Sequence, residues 1–171
     1  VTPGTWGSLA TSKYDVYFEG QAAHAGGFPE NGHSAIVAAA NAVLNLTAIP
    51  RHSGGITRVN VGMIQGGTGR NVIPDSAMIQ IEVRGETTEI NEYMDEQARR
   101  ICQASADMLG CTCRMVSQGS SESQHSDEDF LYDIGNMVRE HLPRLKVSSC
   151  ENAQNWGSED ISLMMRSEER R

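Results

Sequence analysis

The sequence predicts an α+β fold, a ferredoxin-like split-βαβ sandwich with a four-stranded antiparallel sheet and two helices on one face, followed by a piece of a second domain. Three observations carry this. Alternating apolar and polar residues mark four strand segments, and two stretches with helical spacing separate the first from the second and the third from the fourth. After Ser117 the character changes to a Ser-, Gln- and Glu-rich stretch followed by two helix-like runs.

The first dozen residues carry Pro3, Gly4 and Gly7 without periodicity and read as a linker over 1–12. In Lys13 to Gly20, Tyr14, Val16 and Phe18 alternate with Asp15, Tyr17 and Glu19, the pattern of a half-buried strand. A loop rich in Gly and Pro runs from Ala25 to Gly32. Ser34 then caps a helix to about Thr47, with Ile36, Ala39, Ala40, Val43 and Leu44 as its expected apolar stripe, and Pro50 follows its end. Arg58 to Gln65 is a second strand with Val59, Val61 and Met63 on one face. Gly66-Gly67-Thr68-Gly69 interrupts, and Ala77 to Arg84 resumes the alternation, so the second and third strands pair antiparallel. Glu86 to about Leu109 has an acidic first half and Arg99-Arg100 late, which suits the helix dipole, with Ile90, Tyr93, Met94, Gln97, Ile101 and Ala104 as its stripe. Gly110 is a natural stop, and Thr112 to Ser117 is a fourth strand. Gln118 to Ser126 reads as a linker, Asp127 to His141 as a helix before Pro143, and Glu159 to Arg166 as a last helix capped by Ser158.

The chain has 171 residues and a net charge of −8, with 39% hydrophobic residues. A nucleic-acid partner is excluded, because neutralising phosphates needs a basic stripe, and an anionic membrane is disfavoured for the same reason. No run approaches the ~18 apolar residues of a membrane span, and the first residues lack a basic and apolar leader, so a cytoplasmic location is expected. The four cysteines form no Cys-x-x-Cys pair and read as reduced structural thiols.

The five histidines, His24, His33, His52, His125 and His141, show neither His-x-x-x-His nor His-x-Asp spacing, so no metal site is expected on this chain. A Gly-x-Ser-x-Gly elbow is absent. Gly66-Gly67-Thr68-Gly69-Arg70 lacks the Lys and the helix of a phosphate loop. His24 sits among small residues, Ala22-Ala23-His24-Ala25-Gly26-Gly27, as a projecting imidazole or a surface cap. Asn71, before Val72-Ile73-Pro74, presents an amide or braces a turn. Arg84, beside Gly85, clamps a carboxylate or pairs with Glu86. A His, an amide and an Arg from neighbouring strand ends can stabilise an oxyanion and grip an acid, but they cannot activate water.

Four stretches make the chain recognisable: Phe18-Glu19-Gly20-x-x-Ala23-His24-Ala25-Gly26, Gly66-Gly67-Thr68-Gly69-Arg70-Asn71-Val72-Ile73-Pro74, Glu82-Val83-Arg84-Gly85-Glu86 and Gly157-Ser158-Glu159-Asp160. Together they resemble the aminoacylase and glutamate-carboxypeptidase-like metallopeptidases, in the amidohydrolase branch that acts on N-acyl amino acids such as aminobenzoyl-glutamate. The resemblance implies a lid and dimerisation domain over 13–117 and a partial segment of an α/β catalytic domain over 118–171. It implies a second subunit, identical or homologous, as partner. His24 is then the lid histidine that stabilises the tetrahedral intermediate in the other subunit's site, with Asn71 and Arg84 as substrate-binding residues, Arg84 on the carboxylate. The divalent metal, manganese or zinc, belongs to ligands upstream and downstream of this stretch, so none is expected on this chain, which by itself is expected to be inactive. Glu159 and Asp160 match a family motif without an assigned role. The competing readings are a non-catalytic dimerisation module and an amino-acid-sensing module of the same topology.

Overall fold

The computed structural model describes residues 7–148, with 154, 155, 157, 158, 162 and 164 beyond them. In chain order the elements are β1 (Gly7–Ser8), β2 (Ala10–Glu19), β3 (Ala23–His24), a 3-10 turn (Pro29–Asn31), α1 (Ala35–Thr47), β4 (Thr57–Gly66), β5 (Val72–Ile73), β6 (Ser76–Gly85), α2 (Thr88–Met108), β7 (Thr112–Ser121), β8 (Gln124–His125), α3 (Glu128–His141) and β9 (Gln154–Asn155). The main sheet has the order β4-β6-β2-β7 with every neighbour antiparallel, the predicted split-βαβ arrangement. Its core lies on one face, where Tyr14, Val16, Phe18, Ile79, Ile81 and Val83 meet Ala38, Ala39, Ala42 and Leu46 of α1 and Met94, Ala98, Cys102 and Ala106 of α2.

The helix ends follow their local chemistry. The Ser34 hydroxyl accepts from Val37 N–H at 3.3 Å, and Thr87 caps α2 through Ile90 N–H at 3.3 Å. At the far end of α2, Gly110 adopts φ +67°. The N–H of Gly110 bonds Asp107 C=O and that of Cys111 bonds Ala106 C=O, the paired closure that a left-handed residue permits. Asp127 caps α3 through Phe130 N–H at 2.9 Å.

Several sequence expectations change. The reading of 1–12 as linker does not hold over 7–12, because β1 and the start of β2 lie there and Ala10 is fully buried. The linker reading of 118–126 likewise gives way. β7 runs on to Ser121 because a register shift against Lys13/Tyr14 absorbs Gln118, and Gly119 takes φ +128°. Met63 does not share a face with Val59 and Val61. A shift at Gly62 sets Met63 opposite Gln80 and Ile64 opposite Ile79, and opposed residues share a face.

The α1 stripe is rotated from expectation, whereas in α2 Ile90 and Met94 are buried as expected, Tyr93 and Ile101 pack against the core, and only the end of the stripe departs. α1 buries Ala35, Ala38, Ala39, Ala42 and Leu46, while Ile36 and Leu44 are exposed. α2 buries Ile90, Met94, Ala98, Cys102 and Ala106, and Ala104 is exposed. In α1 the buried side chains are mostly alanines, so that helix and strands approach closely, and hydrophobicity alone does not reveal that preference. The last expected helix, Glu159 to Arg166, falls mostly outside the described residues.

Candidate functional site

Beyond Glu19↔Ser76, the pairing of β2 with β6 continues as a narrower ribbon. Gly20 N–H donates to Asp75 C=O at 2.8 Å, β3 then pairs with β5, with Ala23 opposite Ile73 and His24 opposite Val72, and Ala25 N–H donates to Asn71 C=O at 3.0 Å. His24 and Asn71, 47 positions apart in the sequence, are thus neighbours across one ribbon at the end of the sheet. Both are exposed.

The loop after His24 is held from inside and at its base. Gly27 and Phe28 N–H both return to His24 C=O at 3.1 Å, and Gly26 N–H donates to His24 Nδ1 at 3.1 Å. At the base, Gln21 and His33 exchange main-chain bonds of 3.0 and 2.9 Å. His33 Nδ1 lies 3.2 Å from Leu109 C=O, tying the loop to the end of α2. Gly32 packs so closely that a Cβ there would stand 2.6 Å from Ile73 Cδ1. Beside the ribbon, Ile36, Gly67, Thr68, Val72 and Pro74 line an open cleft of about 330 Å³.

Arg84 is not brought to this place. It lies near the opposite end of β6, paired in register with Thr11 and Arg58. At about 3.3 Å per residue the strand sets it more than ~20 Å from the ribbon. The expectation that all three residues come from neighbouring strand ends therefore holds for His24 and Asn71 and fails for Arg84, because β6 is ten residues long and carries Arg84 to its other end. Nor is its partner Glu86. Glu82 takes Arg84 in a two-pronged pair, Nε to Oε2 and Nη2 to Oε1, each at 3.0 Å, while Glu86 Oε2 accepts Ile56 N–H at 2.7 Å.

Among the described residues no three His, Cys, Asp or Glu side chains converge as metal ligands would. Cys102, Cys111 and Cys113 are free thiols. Burial pushes Cys102 up to about 12 and Cys113 to about 11, the condition of inert structural cysteines. Glu159 and Asp160 lie outside the described residues. Sequence reasoning missed Glu82, the His33 anchor and Gly26. The His-x-Gly spacing was the available signal for the last.

With the ribbon in view, the class of protein is defined. The family model described as the peptidase dimerisation domain of the M20 peptidases matches residues 10–107, and the chain belongs to that family. It is 41% identical over 165 residues to an indole-3-acetyl-aspartic acid hydrolase of Enterobacter agglomerans, covering 96% of this chain and 38% of that protein. It is 37% identical over 171 residues to one of the subunits of the p-aminobenzoyl-glutamate hydrolase of Escherichia coli K12, with the same coverage. Its fold superposes on an aminobenzoyl-glutamate utilization protein of Klebsiella pneumoniae with a TM-score of 0.81 and 39% identity, covering 97% of this chain and 43% of that one. The chain thus spans about two fifths of the length of these relatives.

Proposed function

We propose that this chain is the lid and dimerisation part of a metal-dependent amidohydrolase that cleaves the amide bond of N-acyl amino acids, aminobenzoyl-glutamate among them. Its His24 donates a hydrogen bond to the oxyanion in a second subunit's active site. The observation that carries the reading is the placement of His24, exposed on a ribbon that stands beyond the sheet, with Asn71 across from it. An imidazole held out from its own chain acts on what another surface brings to it. The tetrahedral intermediate of amide hydrolysis carries a negative oxygen, and a preorganised donor aimed at such an oxygen is worth on the order of 10² to 10³ in kcat. We expect the metal, manganese or zinc, to be held by residues outside this chain, and the chain alone to be inactive.

The partner is a second copy or a homologous chain, and α1 with β4 is the surface we assign to it. β4 is an edge strand, α1 packs beside it, and Ile36, Val37 and Leu44 of α1 are exposed apolar side chains. An unpaired edge flanked by apolar surface is a template for association. The separation of Arg84 from His24 then has a functional meaning. A small N-acyl amino acid cannot span the length of β6, so the Arg84 and His24 that meet on one substrate come from different protomers. Free thiols suit a reducing compartment, and we place the protein in the cytoplasm.

The test is hydrolysis of p-aminobenzoyl-glutamate, with manganese or zinc, by the chain joined to the remaining segments its relatives carry. His24→Ala is compared with wild type at matched dimer content. The expected result is a fall in kcat of about 10² to 10³ with KM changed less. Unchanged turnover, with an active wild type, would leave a dimerisation module in which His24 has no chemical part.

A further inference from the structure

We propose that the main-chain N–H of Gly26 locks His24 in its Nε2–H tautomer, so that the imidazole meets an anionic oxygen as a donor only. The functional consequence rests on the reading of His24 above, but the lock itself is tested without substrate. Gly26 N–H donates to His24 Nδ1 at 3.1 Å. An amide N–H cannot accept, so Nδ1 must hold its lone pair, and the neutral ring then carries its one proton on Nε2. With no lone pair left at Nε2, the outer nitrogen can give a hydrogen bond and cannot take a proton from an attacking water. That separates oxyanion stabilisation from general-base chemistry within one side chain.

The turn itself supplies the donor. Gly27 and Phe28 N–H are both drawn to His24 C=O, and Ala25 N–H is engaged by Asn71 C=O, which leaves the Gly26 amide facing the ring. A Cβ at Gly26 would stand an ordinary 3.6 Å from His24 Cε1, so the position contributes its N–H rather than the absence of a side chain. The rest of the molecule provides internal standards. His52 meets Gly54 N–H through Nδ1 at 3.1 Å, the same His-x-Gly arrangement. His33 and His141 instead set Nδ1 against carbonyl oxygens, of Leu109 at 3.2 Å and Met137 at 3.1 Å. A carbonyl only accepts, so these two carry the opposite tautomer when neutral.

The experiment is imidazole nitrogen spectroscopy on the labelled 171-residue chain above the pH at which the rings titrate, with His24→Gln to assign the signal. The expected signature has His24 and His52 protonated at Nε2, His33 protonated at Nδ1, and a trans-hydrogen-bond coupling between Gly26 N and His24 Nδ1. Gly26→Ala keeps the donor and leaves the signature unchanged. Gly26→Pro deletes the donor and turns His24 into a mixture of tautomers, with His52 and His33 as controls for the fold. A mixed or Nδ1-protonated His24 in the wild-type chain overturns the proposal whether or not the proline variant folds, as does a proline variant that keeps the wild-type signature. In the assembled enzyme, Gly26→Pro is expected to lower kcat more than it changes KM. A shifted tautomer with unchanged kcat would sustain the lock and strike down the oxyanion role instead.

Discussion

Two of the thiols at the sheet and helix interface show what burial does to a titratable group. Cys102 is fully buried, and desolvation pushes it from 9.0 up to about 12, with Cys113 raised to about 11 by the same cause. Above the unfolded value the folded state therefore binds more protons than the unfolded one, so stability falls as pH rises. The contribution is whole below pH 9 and is lost progressively toward 11 and 12. The urea midpoint is expected to drop between about pH 8 and about pH 10.5, and Cys102→Ala to flatten that drop. A midpoint insensitive to pH over this range would contradict it. These thiols were legible as structural cysteines, since neither paired spacing nor a metal pattern occurs. Their depth was not, because it depends on where α2 lies against the sheet.

At the scale of the element, α1 has two apolar faces and the sequence does not say which is inside. Ala35, Ala38, Ala39 and Ala42 are buried, whereas Leu44 keeps 71% of its surface exposed. Burying the small face lets the helix sit close on the strands and leaves Ile36, Val37 and Leu44 exposed on a helix that packs against the edge strand β4. Leu44→Glu is accordingly expected to weaken dimerisation while the chain stays folded, read as a shift toward monomer in sedimentation with an unchanged circular-dichroism spectrum. Ala39→Leu at the inner face does the reverse. It overpacks a filled core and costs about 1–3 kcal/mol in stability. If Leu44→Glu leaves the dimer intact, the pairing surface lies elsewhere. Met63 carries the companion lesson from the strand side. Period-2 counting put it with Val61, and one extra residue at Gly62 moved it to the other face.

For the whole molecule, the distance between the ribbon and the far end of β6 bears on the proposal that His24 and Arg84 act on one substrate. His24 and Asn71 lie at one end of the sheet and Arg84, in its pair with Glu82, lies near the other. If one substrate is held by Arg84 of one protomer and His24 of its partner, two separately crippled chains can repair each other. Mixing His24→Ala with Arg84→Ala in the assembled enzyme is expected to restore turnover that neither variant shows alone. A dimer with one chain of each kind has one site in which both residues are intact. No recovery, with mixed dimers verified by mass, would mean that both residues act from the same chain.

The order of the four long strands with α1 and α2, their antiparallel pairing, the Ser34 cap and the Gly110 stop were written in the sequence, because local hydrogen bonding and short-range periodicity determine them. The membership of the family was legible as well, from the motifs that contain His24, Asn71 and Arg84. The tertiary structure alone decided which face of α1 is buried, where register shifts move a side chain across the sheet, that His24 and Asn71 become neighbours, and that Arg84 does not. The reason is physical. A cap or a turn closes within a few residues, whereas the distance between two side chains on a sheet depends on pairing between segments far apart in the chain, which no local pattern records.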